Sequence, residues 1–217
     1  MRYLLLTAGR TRAPLIPLAA TCFALLGVFA SQRNEVGPTW GLAAVLCCAL
    51  GAWLVGAVLA VEPAAQAEMA AVALGGRGRR AWLEVRFVLL VAAGLTVAFA
   101  GVPLVLLALH VGHVFGRPLE LGDVVGAVIA LLSCAILGGS VALALGPPRV
   151  TRRATSAALV LAVLVALTAV SRLGGPVRVA KALSDAAPGQ VSGAELVACA
   201  GCLLLAGVAV SVAARAT

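Results

Sequence analysis

The stretch Thr39–Val61, TWGLAAVLCCALGAWLVGAVLAV, runs for 23 residues without a charged side chain. As a helix rising 1.5 Å per residue it would be about 34 Å long, enough to cross the ~30 Å hydrocarbon core of a bilayer. Its only polar side chain is Thr39, and it stops at Glu62-Pro63. A buried soluble helix seldom needs so long an apolar run, so this stretch places the chain in lipid.

Runs of the same kind recur on both sides of it. The expectation is an all-α polytopic membrane protein forming one transmembrane domain over residues 1–217, with six transmembrane helices at about 13–30, 39–61, 87–109, 124–145, 155–170 and 194–213. Composition agrees. Of 217 residues, 63% are hydrophobic and 11% charged, whereas a soluble domain carries roughly 25% charge. Ala, Gly, Val and Leu dominate and aromatics are scarce, which suits close helix packing through small residues. Val28-Phe29-Ala30 before Ser31 has the small-residue pattern of a signal cleavage site, but the stretch is read as a retained helix.

The net charge of +8 is read as an orientation signal, not as affinity for nucleic acid, because the basic residues lie in the short segments between apolar runs. With the N-terminus inside, eleven of the sixteen basic residues fall on the inner side and five on the outer. The alternation is the positive-inside pattern, and it expects both termini in the cytoplasm at the cell membrane.

Two connections are long. The inner one, Glu62 to Arg86, begins Glu62-Pro63 and continues as an Ala-rich helix through Gln66 and Glu68. It breaks at Gly75-Gly76 and leads through Arg77-Gly78-Arg79-Arg80 to Trp82 and Glu84. Pro near the start and Gly at the end are the punctuation of a short helix. The outer one, Ser171 to Gly193, alternates Arg172, Arg178, Lys181 and Asp185 with Val177, Val179, Ala182 and Leu183, between Pro176 and Pro188. It expects a short amphipathic helix at the outer surface.

Candidate chemistry is sparse. Lys181 is the only lysine and no GxxxxGK[ST] loop surrounds it, so any ATP would be bound by another chain. No HExxH, GxSxG or paired intramembrane carboxylates occur, which argues against an enzyme. Cys22, Cys47, Cys48, Cys134, Cys199 and Cys202 lie in apolar runs and read as small hydrophobes, the CxxC spacing of Cys199 and Cys202 included. His110 and His113 read as a polar cap, not a metal site. Glu62 and Glu195 are placed at the edges of their spans, which disfavours a proton-coupled carrier. Gly122 and Gly126 form a GxxxG suited to helix packing within the chain or across a homodimer, and Pro103 is expected to kink its span.

The layout of six spans, a helical inner link after the second and an outer amphipathic stretch before the sixth resembles the membrane subunits of type-2 ABC exporters, the ABC-2 permease family. The resemblance implies that the link is a coupling helix docking on an ABC ATPase subunit, with Glu62, Gln66, Glu68, Gly75, Gly76, Arg77, Arg79 and Arg80 as the ATPase-coupling residues. It implies a homodimer or pseudo-dimer of permease subunits, no cofactor on this chain, and ATP and Mg held by the partner. The implied activity is export of a lipophilic or amphipathic substrate such as a drug, peptide or lipid. A haem-exporter-like permease is a related possibility. A secondary transporter or channel-like protein without an ATPase, and a structural or assembly protein of the membrane, are the alternatives outside the family.

Overall fold

The computed structural model describes residues 15–29, 35–60, 69, 71–73, 75–108, 115, 119–145, 175–187 and 189–215. The secondary structure among them is helical: α1 (Leu15–Phe29), α2 (Val36–Leu59), α3 (Arg77–Ala108), α4 (Leu121–Leu145), α5 (Pro176–Asp185) and α6 (Gly193–Arg215). Four helices contain stretches long and apolar enough to cross a membrane, at Val36–Leu59, Gly78–Val105, Leu121–Leu145 and Gly193–Ala213. They coincide with the second, third, fourth and sixth expected spans. The first is a shorter apolar helix of 15 residues, about 22 Å long. The fifth, 155–170, lies outside the described residues.

The third span differs at its start. The reading from hydropathy opened it at Phe87, yet α3 begins ten residues earlier at Arg77 and spans 32 residues, about 48 Å. Hydropathy registers only the apolar part of a helix. The basic first turns carry the same hydrogen-bonded backbone outward, past the thickness of the hydrocarbon core. Pro103 lies inside α3, and the helix continues through it to Ala108.

Helix α4 is the centre of the bundle. It packs most extensively on α2, then on α6 and α3. Small residues set these approaches. A Cβ at Gly138 would collide with the backbone carbonyl of Cys48, so only glycine lets α2 and α4 cross there. The direction of each helix follows from its neighbours. Gly126 of α4 meets Glu195 of α6, while Ala142 and Leu143 share a cluster with Ala213 near the end of α6. Thus α4 and α6 run parallel. On α2, Trp40 lines the same space as Gly126 and Gly56 faces Ala142, so α2 runs with them. Val88, near the start of α3, lies against Gly139 in the second half of α4, so α3 runs the opposite way.

The expected outer amphipathic helix is α5, with Pro176 in its first turn. Pro176, Val179, Ala182 and Leu183 form its buried face. That face lies on α2 rather than on a lipid surface: Gly37 approaches Leu183, and Gly41 approaches Ala180. Amphipathicity alone identifies a helix with one apolar side; it does not say whether lipid or protein covers that side.

Three buried hydroxyls within the apolar helices are satisfied locally. Thr21 Oγ1 donates to the Pro17 carbonyl at 2.8 Å, Thr96 Oγ1 to Ala92 at 2.8 Å, and Ser133 Oγ to Ala130 at 3.0 Å. Such bonds to the preceding turn hide a hydroxyl where no water is available. The described cysteines are free, and all but Cys22 are buried. They pack as the small hydrophobes expected of them. Among the described residues no group of three His, Cys, Asp or Glu is placed to hold a metal ion.

Candidate functional site

Two places in the bundle concentrate polar chemistry, one at each end. The first is the described part of the link between α2 and α3. Residues 71–73 are helical. The helix stops where the Gly75 N–H donates to the Val72 carbonyl at 3.0 Å and the Gly76 N–H to the Ala71 carbonyl at 2.9 Å. This paired arrangement is a Schellman stop. Gly75 and Gly76 have φ of 82° and 128°, a backbone region that side chains resist. The Gly-Gly break read from the sequence is therefore a built helix end. Ala71 is buried, whereas Met69 and Val72 are exposed.

Beyond the stop, Arg77 opens α3 and Arg79 is exposed, with its guanidinium over Gly75. Arg80 is not a free basic group. Its Nε donates to Glu84 Oε1 at 3.0 Å, one turn along, and both side chains are largely buried. Arg86 stacks on Trp82, with 5.3 Å from guanidinium carbon to ring centroid. Glu62, Gln66 and Glu68 lie outside the described residues, as do His110 and His113. Of the eight residues implied for coupling, the structure thus brings Gly75, Gly76, Arg77, Arg79 and Arg80 to one helix junction.

The second place lies at the opposite end, where α2, α4 and α6 begin and α5 finishes. A cavity of about 190 Å³ opens there. Glu35 at the start of α2, Asp123 in the first turn of α4 and Glu195 in the first turn of α6 all line it, together with Trp40, Ser184 and Gln190. No basic residue is among the described lining.

The three carboxylates play different parts. Asp123 builds the wall: Oδ1 accepts from the Gly189 N–H and Oδ2 from the Glu120 N–H, each at 3.0 Å. These bonds tie the segment before α6 to the start of α4. Glu35 precedes α2, is exposed, and forms no side-chain cap. Glu195 is the buried one, at 1% exposure, and its Oε1 has no hydrogen-bond partner.

Local sequence explains how Glu195 is positioned. Ser192 stands three residues before it, and Ser192 Oγ accepts from the Glu195 N–H at 3.1 Å. Ser-x-x-Glu is the spacing of a capping box, and the Ser192 backbone N–H also faces the carboxylate. The missing side chain at Gly126 leaves the room the carboxylate occupies; a Cβ there would lie 2.5 Å from Oε1. Glu195 keeps the edge position read from the sequence, in the first turn of α6, but it is buried there. It is near the end of its span in sequence, but α4 covers it.

Trp40 is the second unsatisfied group. It is 1% exposed and its Nε1 has no partner. The indole is held between Phe29, at 5.8 Å between centroids and 67°, and Phe115, at 5.6 Å and 33°. Aromatic packing of this kind fixes the ring without satisfying its N–H. The sequence reading did not single out Trp40. The Ser192-x-x-Glu195 spacing was the one local signal available, and it speaks of capping, not of a cavity.

No protein-family model matches this chain, and neither curated proteins nor solved structures supply a match.

Proposed function

We propose that this chain is the membrane subunit of an ATP-driven exporter, crossing the bilayer six times with both termini in the cytoplasm and docking a separate ATPase on its inner link. The observation that carries this reading is the junction at Gly75-Gly76. A capped helix presents Met69 and Val72 outward and passes directly into the long basic start of α3. An apolar exposed helix beside arginines fits a protein-binding surface better than a solvated loop. The parallel run of α2, α4 and α6 supports the six-span count, since a crossing over 155–170 would connect α4 to α6 in the required direction.

The partner would bind ATP and Mg, and a second permease subunit would complete the assembly. The outward apolar face of α6, with Leu203, Leu204 and Val208, suits either that subunit or lipid. The cargo class is lipophilic or amphipathic. Purification in mild detergent should bring down a nucleotide-binding partner, and Glu62→Ala/Glu68→Ala should lose transport-coupled ATP hydrolysis while inserting normally. Absence of any such partner, or unchanged coupled hydrolysis in the double variant, refutes the reading.

The buried carboxylate of Glu195 favours a second reading, a secondary transporter. Ionisable groups inside membrane helices commonly mark ion or solute pathways. That reading expects transport that collapses with an ion gradient and ignores ATP.

A further inference from the structure

One face of α3 changes its chemistry along its length. At about 100° per residue, Arg79, Trp82, Arg86, Leu90, Ala93 and Val97 fall within about 80° of one another. All six are exposed, Trp82 at 55%, Leu90 at 46% and Val97 at 71%. The stripe is cationic and aromatic over its first turns and apolar beyond them. At 1.5 Å per residue it is about 27 Å long, and Leu90 lies about 6 Å past Arg86. A helix of 32 residues overreaches the ~30 Å hydrocarbon core, and its charged start is the part suited to the headgroup layer.

The arginines here are not equivalent. Arg80 is turned about 100° from Arg79, and Glu84 holds its guanidinium at 3.0 Å. Among the described residues neither Arg79 nor Arg86 forms an ion pair. The guanidinium of Arg79 lies over Gly75, and that of Arg86 over the Trp82 ring, 5.3 Å from its centroid. Stacking occupies the flat face of a guanidinium and leaves its N–H edge open, and that edge is what grips a phosphate. The stripe therefore offers two cations for a phosphate and, one turn further on, an apolar track. A soluble protein docked at this end would reach the arginines but not Leu90 and Val97, which lie at hydrocarbon depth. One molecule that answers both parts is a phospholipid. Two cations without acids beside them favour a lipid of net negative charge over one whose own amine cancels its phosphate.

We propose that this stripe of α3 binds an anionic phospholipid, with the phosphate between Arg79 and Arg86 and an acyl chain along Leu90 and Val97. Trp82 sets the depth of the site and holds Arg86 in place. Met69 and Val72, before the Gly75-Gly76 stop, remain for a protein partner. The inference goes beyond the transport reading and does not depend on whether ATP or an ion gradient drives it.

The full chain in a neutral detergent at low ionic strength is offered equal amounts of phosphatidylglycerol and phosphatidylcholine with the same acyl chains. Bound lipid is counted by native mass spectrometry. Phosphatidylglycerol should be preferred at least about tenfold, since each basic group near an anionic headgroup contributes a factor of about five. Arg79→Gln/Arg86→Gln, a change of two exposed side chains, should bring the ratio close to one with the unfolding temperature unchanged. Arg80→Gln should keep the preference, because Arg80 is committed to Glu84. Trp82→Ala should lower it part of the way by releasing Arg86. Glycerophosphoglycerol, the same headgroup without chains, should not displace the lipid at matched concentration. Loss of the preference in the double variant, with any nucleotide-binding partner still co-purifying, supports the lipid site and leaves the exporter reading intact. The proposal is overturned if the two lipids bind equally, if Arg80→Gln loses the preference as fully as the double variant, or if the chain-free headgroup competes as well as the lipid. It is also overturned if the double variant keeps its lipid preference and loses a co-purifying protein, since the arginines then face that protein.

Discussion

The two ends of the bundle treat charge in opposite ways. At the Arg80 end, a basic residue and an acidic one are drawn in together, and Arg80 Nε meets Glu84 Oε1 at 3.0 Å on the same helix. Arg79 and Arg86 stay at the surface, and Arg86 stacks on Trp82. At the Glu195 end, an acidic residue is buried without a basic partner among the described lining, beside an indole N–H equally unanswered. The first arrangement is self-contained: the i, i+4 spacing supplies the partner from the same helix. The second depends on four separate helices, and the spacing within any one of them supplies no partner for the buried groups.

Substitutions at α4 glycines should show how fixed the neighbours are along this axis. The largest effect is expected from Gly138→Ala, in the middle of α4. Its Cβ would collide with the Cys48 carbonyl, and backbone cannot swing away as a side chain can. A loss of about 2–3 kcal/mol, of the order found for overpacked cores, should appear as a lower unfolding temperature in detergent. Gly126→Ala should be much milder in the same assay, because its new Cβ meets only the end of the Glu195 side chain. Equal losses at the two glycines would show that the carboxylate is as fixed as backbone.

Next in size is Glu195→Gln. Removing a buried charge that lacks a full set of partners should raise stability by roughly 1–2 kcal/mol, read as a higher unfolding temperature in detergent. A fall in stability would mean that Glu195 is structural, and the contrast between the two ends would dissolve.

The smallest effect belongs to the Arg80 end. Glu84→Gln removes one member of a short-range ion pair whose side chains are 13% and 6% exposed. The expected loss is about 1 kcal/mol, near the top of the range for pairs that still reach solvent, and the melting temperature should report it.

Much of this architecture was legible in the residues. Helices α2, α4 and α6 fall where apolar runs placed them, and the Gly75-Gly76 stop falls where two glycines follow an Ala-rich segment. These features are local. A run of about twenty apolar residues has one outcome in a bilayer, because unpaired backbone groups are too costly in hydrocarbon for anything but a helix or a closed barrel. Two glycines in succession likewise permit the left-handed turn that ends a helix whatever lies around them.

What faces what was not legible. The amphipathic pattern of α5 gave a helix with an apolar side, and only the packed chain shows that α2 covers that side. The Gly122-x-x-x-Gly126 spacing suited a contact within the chain or with a second copy. In the bundle it receives the Gly189 carbonyl and the Glu195 carboxylate of this same chain. Glu195 is the sharpest instance. Its sequence neighbours place it one turn into a span, at what looks like the membrane's edge. Its burial is set by α4, whose Gly126 lies 69 positions away. Hydropathy and spacing act over a few residues and so determined a membrane-embedded helical chain. The enclosure of one carboxylate and one indole N–H is a property of helices that meet from distant parts of the sequence, and only the tertiary structure decided it.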